Sequence, residues 1–374
     1  MKNNGTEIYV HIPFCVRKCG YCDFVSFSCS ESVQKAYFEA LWRQIDIKSE
    51  TMGEVPIVSV FFGGGTPSSV DAKLITSTMK LISEKFSLLP DAEISIEMNP
   101  NSADFNKLSE YKRAGFNRVS IGLQSADNVE LKLLSRLHTF EEFLETFNVA
   151  RKAGFDNINV DIMSALPGQT RESYRRTLEK VTELNPEHIS AYSLIIEENT
   201  PFYENYSDGR GLPDEDTERE MYHETETYLK EKGYHRYEIS NYAKKGYECR
   251  HNIGYWRRTP YIGFGIAAAS LINNTRYLVH SDLNAFIGGD FSETEEILSI
   301  NDQMAEFMFL GLRMTDGVSV GEFSEAFSVS LKEVYSDALK ELKREGLLVV
   351  SDRIYLTKRG LDLANYAMAK FILD

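Results

Sequence analysis

The chain has 374 residues, 43% hydrophobic and 26% charged, an ordinary globular composition with room for a large core and two or three domains. A formal charge of −15 argues against nonspecific binding to nucleic acid or anionic lipid. The first residues hold no hydrophobic signal core and no apolar run reaches the length of a membrane span, so a cytoplasmic protein with reduced thiols is expected.

Short β-branched runs alternate with helical stretches through the first half. The runs are EIYVHI (7–12), IVSVFFG (57–63), EISIEMN (93–99), RVSIGL (118–123), NINVDIM (157–163) and HISAYSL (188–194). Amphipathic segments such as 33–48 and 140–154 lie between them, and Gly115, Gly154 and Gly233 each fit just past a helix end. Six strand-then-helix units predict an α/β fold with a parallel sheet, bent into an open three-quarter, TIM-like barrel rather than the full eight-unit closure. Residues 203–220 read as a polar loop leading into a helix that ends near Gly233; 234–243 read as a strand and its exit, and the glycine-rich 261–270 as a turn.

The last 74 residues read as a separate unit. Helices are expected over 304–314, 319–327 and 331–346, then a hairpin over 347–357 with its turn near Ser351-Asp352, then a helix over 361–372. That order predicts a winged-helix-like α+β domain. From residue 301 on there are 12 acidic and 9 basic residues, so the basic footprint of a DNA reader is missing and a lid or docking role is expected. The expected division is a barrel over 1–232, a connecting segment over 233–300 that packs on it, and the C-terminal domain over 301–374.

The first strand runs into HIPFCVRKCGYCDF (11–24), where Cys15, Cys19 and Cys22 fall at C-x3-C-x2-C spacing. Clustered thiols in a reducing compartment point to metal or redox chemistry. A structural zinc needs a fourth, distant ligand; a 4Fe–4S cubane on three thiolates leaves one iron for an exchangeable ligand. Cys29 and Cys249 read as ordinary thiols. The second strand runs into Gly63-Gly64-Gly65-Thr66, the third ends in Glu97, Gln124 follows the fourth, and Asp161 lies in the fifth. Alone, a strand-end Asp or Gln reads more readily as a structural hydrogen-bonding group than as a ligand, and the glycine run, which lacks both the P-loop lysine and the dinucleotide spacing, could be a turn. Together they occupy the C-terminal rim, where barrel chemistry sits.

These features resemble the radical S-adenosyl-L-methionine (SAM) superfamily. Within it, YVHIPFC (9–15), FGGGTPS (62–68), SIEMNP (95–100), IGLQS (121–125), LSRLH (134–138) and DIMSALPGQT (161–170) are similar to the oxygen-independent coproporphyrinogen III dehydrogenase family and its heme chaperone branch. The motifs run in the family's order across essentially the whole chain. The resemblance implies a radical SAM barrel in which Cys15, Cys19 and Cys22 ligate a 4Fe–4S cluster and SAM chelates the fourth iron. It implies that Gly64 admits the methionyl group, Arg136 pairs with the SAM carboxylate, and Glu97, Gln124 and Asp161 fix the amino group and ribose. Tyr21 would pack near the adenine, and Tyr9 would lie beside the sulfonium. Gly65 and Thr66 match positions that hold a second SAM in the dehydrogenase.

Two departures separate the branches. The dehydrogenase pattern places another cysteine where this chain has Phe24, and it carries a longer extension before the position of Tyr9, which eight residues precede here. Both favour the heme chaperone. CRHNIGYW (249–256) matches that branch's H-N-x-x-Y-W signature, which implies a heme site with His251 as candidate axial ligand and Tyr255 and Trp256 lining the ring. Read from the residues alone, His251 and Asn252 cap a helix and Trp256 fills core. His11, His138, His280 and Cys249 are further candidate ligands. The implied partners are heme and an acceptor hemoprotein, with a respiratory acceptor and transient membrane-surface contact left open. The runner-up is a dehydrogenase or another SAM-radical oxidoreductase.

Overall fold

The structure, a computed structural model, describes residues 5–373. Six strands follow one another in parallel: β1 (Thr6–Ile12), β2 (Pro56–Gly64), β3 (Ser87–Met98), β4 (Arg118–Gln124), β5 (Ile158–Ser164) and β6 (His188–Ser193), each pairing with the next. The expected α/β partial barrel is present. Its outer face is apolar: Ile8, Val10 and Ile12 of β1 join the main core with Phe38, Leu41 and Ile45 of the helix Glu31–Met52. Burying such side chains supplies about 1.5–3 kcal/mol each, which makes this packing the main support of the barrel.

The barrel does not close. On one side β7 (His235–Arg236) and β8 (Asn241–Ala243) form a short antiparallel pair against β6. The segment 234–243, expected as a strand and its exit, is therefore a short hairpin. On the other side β9 (Tyr261–Phe264) adds a further parallel strand beside β1, followed by the antiparallel β10 (Ala269–Ile272), β11 (Thr275–Val279) and β12 (Glu293–Ile297). The glycine-rich segment does turn, but between two strands. Period-2 alternation was too short at β9 and β10 to announce them. The outermost strand β12 reads ETEEI, and its charges discourage pairing with another edge.

The C-terminal part builds its own core of Met304, Leu312, Phe323, Leu339, Ile354 and Phe371 around the three-stranded sheet β13 (Val318–Ser319), β14 (Leu348–Val350) and β15 (Arg353–Leu356). The helix expected over 331–346 is interrupted at Tyr335, whose buried ring packs against Phe323 and Phe371. The last helix is likewise two short pieces, Lys358–Asp362 and Ala364–Ala369. Glu306 anchors this part: it bonds Arg276 and accepts from Arg258 Nε at 2.9 Å, with both Glu306 and Arg258 under 9% exposed. Among the described residues no helix is long and apolar enough to cross a membrane.

Candidate active site at the barrel mouth

Alternation along each strand sends one face into the barrel. That face is polar. Ser59 Oγ donates to Glu7 Oε1 (3.1 Å); Asn159 Nδ2 donates to Ser120 Oγ and to Asp161 Oδ1 (2.7 Å each); His188 Nδ1 donates to Asn159 Oδ1 (2.6 Å). Tyr9, Phe61 and His251 form a stacked column through this interior, with centroids 6.4 and 5.0 Å apart.

The cysteine loop leaves β1 at the mouth and is pinned at its neck by Cys15 N to Phe27 O (3.0 Å) and Phe27 N to Pro13 O (2.8 Å). Cys15, Cys19 and Cys22 are all free thiols and partly buried. Cys15 Sγ lies 3.5 Å from Thr66 Oγ1, and Arg136 Nη1 donates to Cys19 Sγ at 3.5 Å. Burial pushes the Cys22 thiol up, against the backbone N–H of Phe24, which favours the thiolate. Phe24 itself is 62% exposed. Among the described residues no three Cys, His, Asp or Glu side chains converge on a single ion. A cubane takes each thiolate on a different iron, so the three thiols need not converge on one point to hold it.

The glycine run folds back against the loop. Thr66 N donates to Phe14 O at 2.7 Å, and a Cβ on Gly65 would stand 2.7 Å from the Phe14 carbonyl oxygen. Gly64 has φ +109° and a Cβ there would strike the His11 ring, so only glycine fits. Its N–H donates to Glu97 Oε2 (3.2 Å). Burial, with Asp161 nearby, pushes Glu97 up to about 8, and burial also raises Asp161. A bulge between Gly122 and Gln124 and a left-handed Gln124 (φ +75°) turn that side chain out of strand register at the rim. Arg136 is aimed by a helix ending: Ser135 takes φ +61° and Arg136 N returns to Leu131 O at 2.9 Å. Its Nη2 donates to Asn99 Oδ1 and Gly122 O, both at 2.5 Å, while its buried Nε has no partner. Tyr21 packs edge-on to Phe202 at 6.1 Å. Tyr9 donates to His11 Nδ1 (3.1 Å), and His11 Nε2 donates to Val25 O in the cysteine loop (2.9 Å).

The structure puts the second motif at the opposite end. The helix Arg250–Trp256 plugs the barrel floor, with its first turn on Glu93: that carboxylate accepts from Arg250 N (3.1 Å), His251 N (3.3 Å) and Cys249 Sγ (3.4 Å). His251 is 1% exposed. Its Nδ1 pairs with Ser59 Oγ (2.8 Å) and its Nε2 with Tyr255 OH (3.1 Å), and burial holds it down to about 3. Trp256 faces Arg313 at 4.2 Å. In this conformation the three candidate heme residues are packed floor. The other candidates are engaged as well: His138 Nε2 with Leu123 O, His280 Nε2 with Asp290 O, and Cys249 with Glu93.

Residues 9–181 match the family model for the radical SAM superfamily, and residues 298–363 match that for the HemN C-terminal domain. The chain is 36% identical to the heme chaperone HemW of Bacillus subtilis over 97% of this chain and 98% of that one. It is 32% identical to HemW of Escherichia coli over 98% of each. The chain belongs to the HemW family. Its fold is that of the solved coproporphyrinogen III oxidase HemN of E. coli, a radical SAM enzyme, with a TM-score of 0.86 over 98% of this chain and 90% of that one at 24% identity. Radical SAM membership implies a 4Fe–4S cluster and SAM. The mouth fits both: three thiols with sulfur-directed donors fit the cluster, and the unpaired Arg136 Nε and the glycine cradle beside Glu97 fit the SAM head group.

The sequence reading did not single out Asn99, Glu93, Glu7 or Arg118. The signal was there. Glu7, Tyr9 and His11 alternate with Ile8, Val10 and Ile12, and a polar inner face on a barrel strand marks an interior that is not simply packed.

Proposed function

We propose that this chain is a heme chaperone that holds a 4Fe–4S cluster and SAM at the barrel mouth, binds heme, and passes it to an acceptor hemoprotein in the cytoplasm. The observation that carries the reading is the three-thiol loop at a mouth ringed by Gly64, Glu97, Gln124, Arg136 and Asp161, in a chain that matches named heme chaperones over nearly its full length. Cys15, Cys19 and Cys22 would hold the cluster, which when reduced supplies an electron to the bound SAM sulfonium. The protein's own part is placement. Arg136 Nε would donate to the carboxylate, and Glu97, Gln124 and Asp161 would orient the amino group and ribose. Gly65 and Thr66 are spent on closing the cysteine loop, which leaves one SAM as the simpler occupancy. Phe24, where the dehydrogenase pattern has a cysteine, supports chaperone over dehydrogenase.

His251, Tyr255 and Trp256 are kept as the candidate heme site, with a condition that the packing sets: the helix Arg250–Trp256 must lift before an iron can reach an imidazole nitrogen. The test is a hemin titration of anaerobically reconstituted protein, following the Soret band in wild type and His251→Ala. Saturable binding lost in the variant supports both chaperone and ligand. Saturable binding unchanged in the variant keeps the chaperone and moves the ligand. No saturable binding in wild type refutes the chaperone.

A further inference from the structure

Cys15 and Cys19 each meet a side-chain donor that one amide holds, Thr66 and Arg136, with Tyr21 a second side-chain contact of Cys19. We propose that Asn99 is a positioning residue that aims Thr66 at Cys15 and Arg136 at Cys19, and thereby sets the reduction potential of the cluster. The inference rests on the reading that these thiols hold a 4Fe–4S cluster.

Asn99 Nδ2 donates to Thr66 Oγ1 at 2.8 Å. That contact occupies a lone pair of the hydroxyl. A metal-bound Cys15 thiolate can only accept, so the Thr66 proton points to Cys15 Sγ, 3.5 Å away. On the other side Asn99 Oδ1 accepts from Arg136 Nη2 at 2.5 Å, and Nη1 of the same rigid guanidinium donates to Cys19 Sγ at 3.5 Å. The amide has one workable orientation, because a flip would set its NH2 against the guanidinium, donor facing donor. Its backbone is fixed as well: Asn99 O accepts from Ser102 N (3.1 Å) and from Ser102 Oγ (2.5 Å). Cys22 lies outside this arc and takes its hydrogen bond from the Phe24 backbone.

Reduction adds negative charge to a cluster. Hydrogen bonds to its sulfurs favour the reduced form and raise the potential. Asn99→Ala frees both donors and so lowers the potential. Thr66→Val removes one donor at nearly constant shape and lowers it less. Thr66→Ser keeps the hydroxyl and leaves it unchanged.

The experiment is an EPR-monitored potentiometric titration with dithionite as reductant, on wild type and the three variants, each checked for iron and sulfide. Asn99→Ala should lower the reduced-to-oxidised ratio at fixed poise by about tenfold, ~59 mV for one electron. Cluster-loaded Asn99→Ala with the wild-type potential overturns the inference and leaves the cluster reading standing. Wild type that takes up no cluster, or Cys15→Ala that keeps a full one, overturns the cluster reading instead. Where Asn99→Ala loads no cluster, the threonine pair decides: equal potentials in Thr66→Val and Thr66→Ser overturn the inference, and a drop in valine alone upholds it.

Discussion

Replacing Glu93 with alanine tests whether His251 meets heme by helix opening. The helix Arg250–Trp256 has no side-chain cap of its own; Cys249 stands at its N-cap and Glu93 does the capping from β3. Alanine leaves the N–H groups of Arg250 and His251 without that partner, at about 1–3 kcal/mol for each buried group. The adjoining cavity of about 400 Å3, lined by Asn117, Asn157, Tyr247 and Ile253, lets water offset part of this. A net weakening of about 2.8 kcal/mol corresponds to roughly 100-fold in the closed-to-open ratio. When only the open form binds, the apparent affinity scales with its population. Glu93→Ala should therefore lose that much stability in urea denaturation and bind hemin up to roughly 100-fold more tightly in the Soret titration. A variant with the lower stability and unchanged hemin affinity refutes the argument and removes His251 as a ligand reached by opening.

Other residues give independent checks. Arg136→Ala should weaken SAM binding by about 1.5–3 kcal/mol in equilibrium dialysis while iron content holds, and an unchanged SAM affinity removes the carboxylate role. Burial pushes Glu7 up to about 9, and Glu93 nearby adds to it. A carboxyl raised in the folded state contributes stability that is full below its unfolded value of 4.5 and is lost as pH rises toward 9. Glu7→Gln should therefore match wild type near pH 4.5 and exceed it by about 1–3 kcal/mol at pH 8, and parallel pH–stability curves contradict this. Glu306→Ala strands Arg258 in a buried site and should cost about 3–5 kcal/mol in urea denaturation; a loss under about 1 kcal/mol shows that water reaches the guanidinium.

Much of this was legible in the chain. Short β-branched runs set out β1 to β6 in order, because strands with an apolar outer face under helices and a polar inner face alternate with period two. The mouth was legible through position: residues just past strand ends share one rim, and the structure lines it with the glycine cradle, Glu97, Gln124 and Arg136. Three things escaped. The strands β7 and β9 have four residues or fewer, too few for a period to show. Asn99 stood inside a quoted motif, but its worth lies in joining Thr66 and Arg136, which are far apart in sequence. The burial of His251 depends on Ser59, Glu93 and Tyr255 meeting at the floor, and only the last shares its helix.

The interior itself bears on function. A barrel filled for stability alone carries layers of branched apolar side chains. Here the inner faces carry Glu7, Ser59, Glu93, Ser95, Glu97, Ser120, Asn159 and Asp161, all bounded by helices with a conventional apolar core outside. Arg118, fully buried, is raised by Cys249, Glu93 and Asp161 against the cost of its own burial. Glu7 and Glu97 are both pushed toward the neutral form. Isoleucine or valine at these positions would remove the desolvation costs of several buried polar groups. Glu97, raised by burial at a mouth that also holds three thiols, marks that end as a candidate functional site. The same chemistry explains the floor: a polar interior needs a polar plug, and a helix whose first turn is held by Glu93 and whose histidine bonds Ser59 closes it without leaving those groups unpaired.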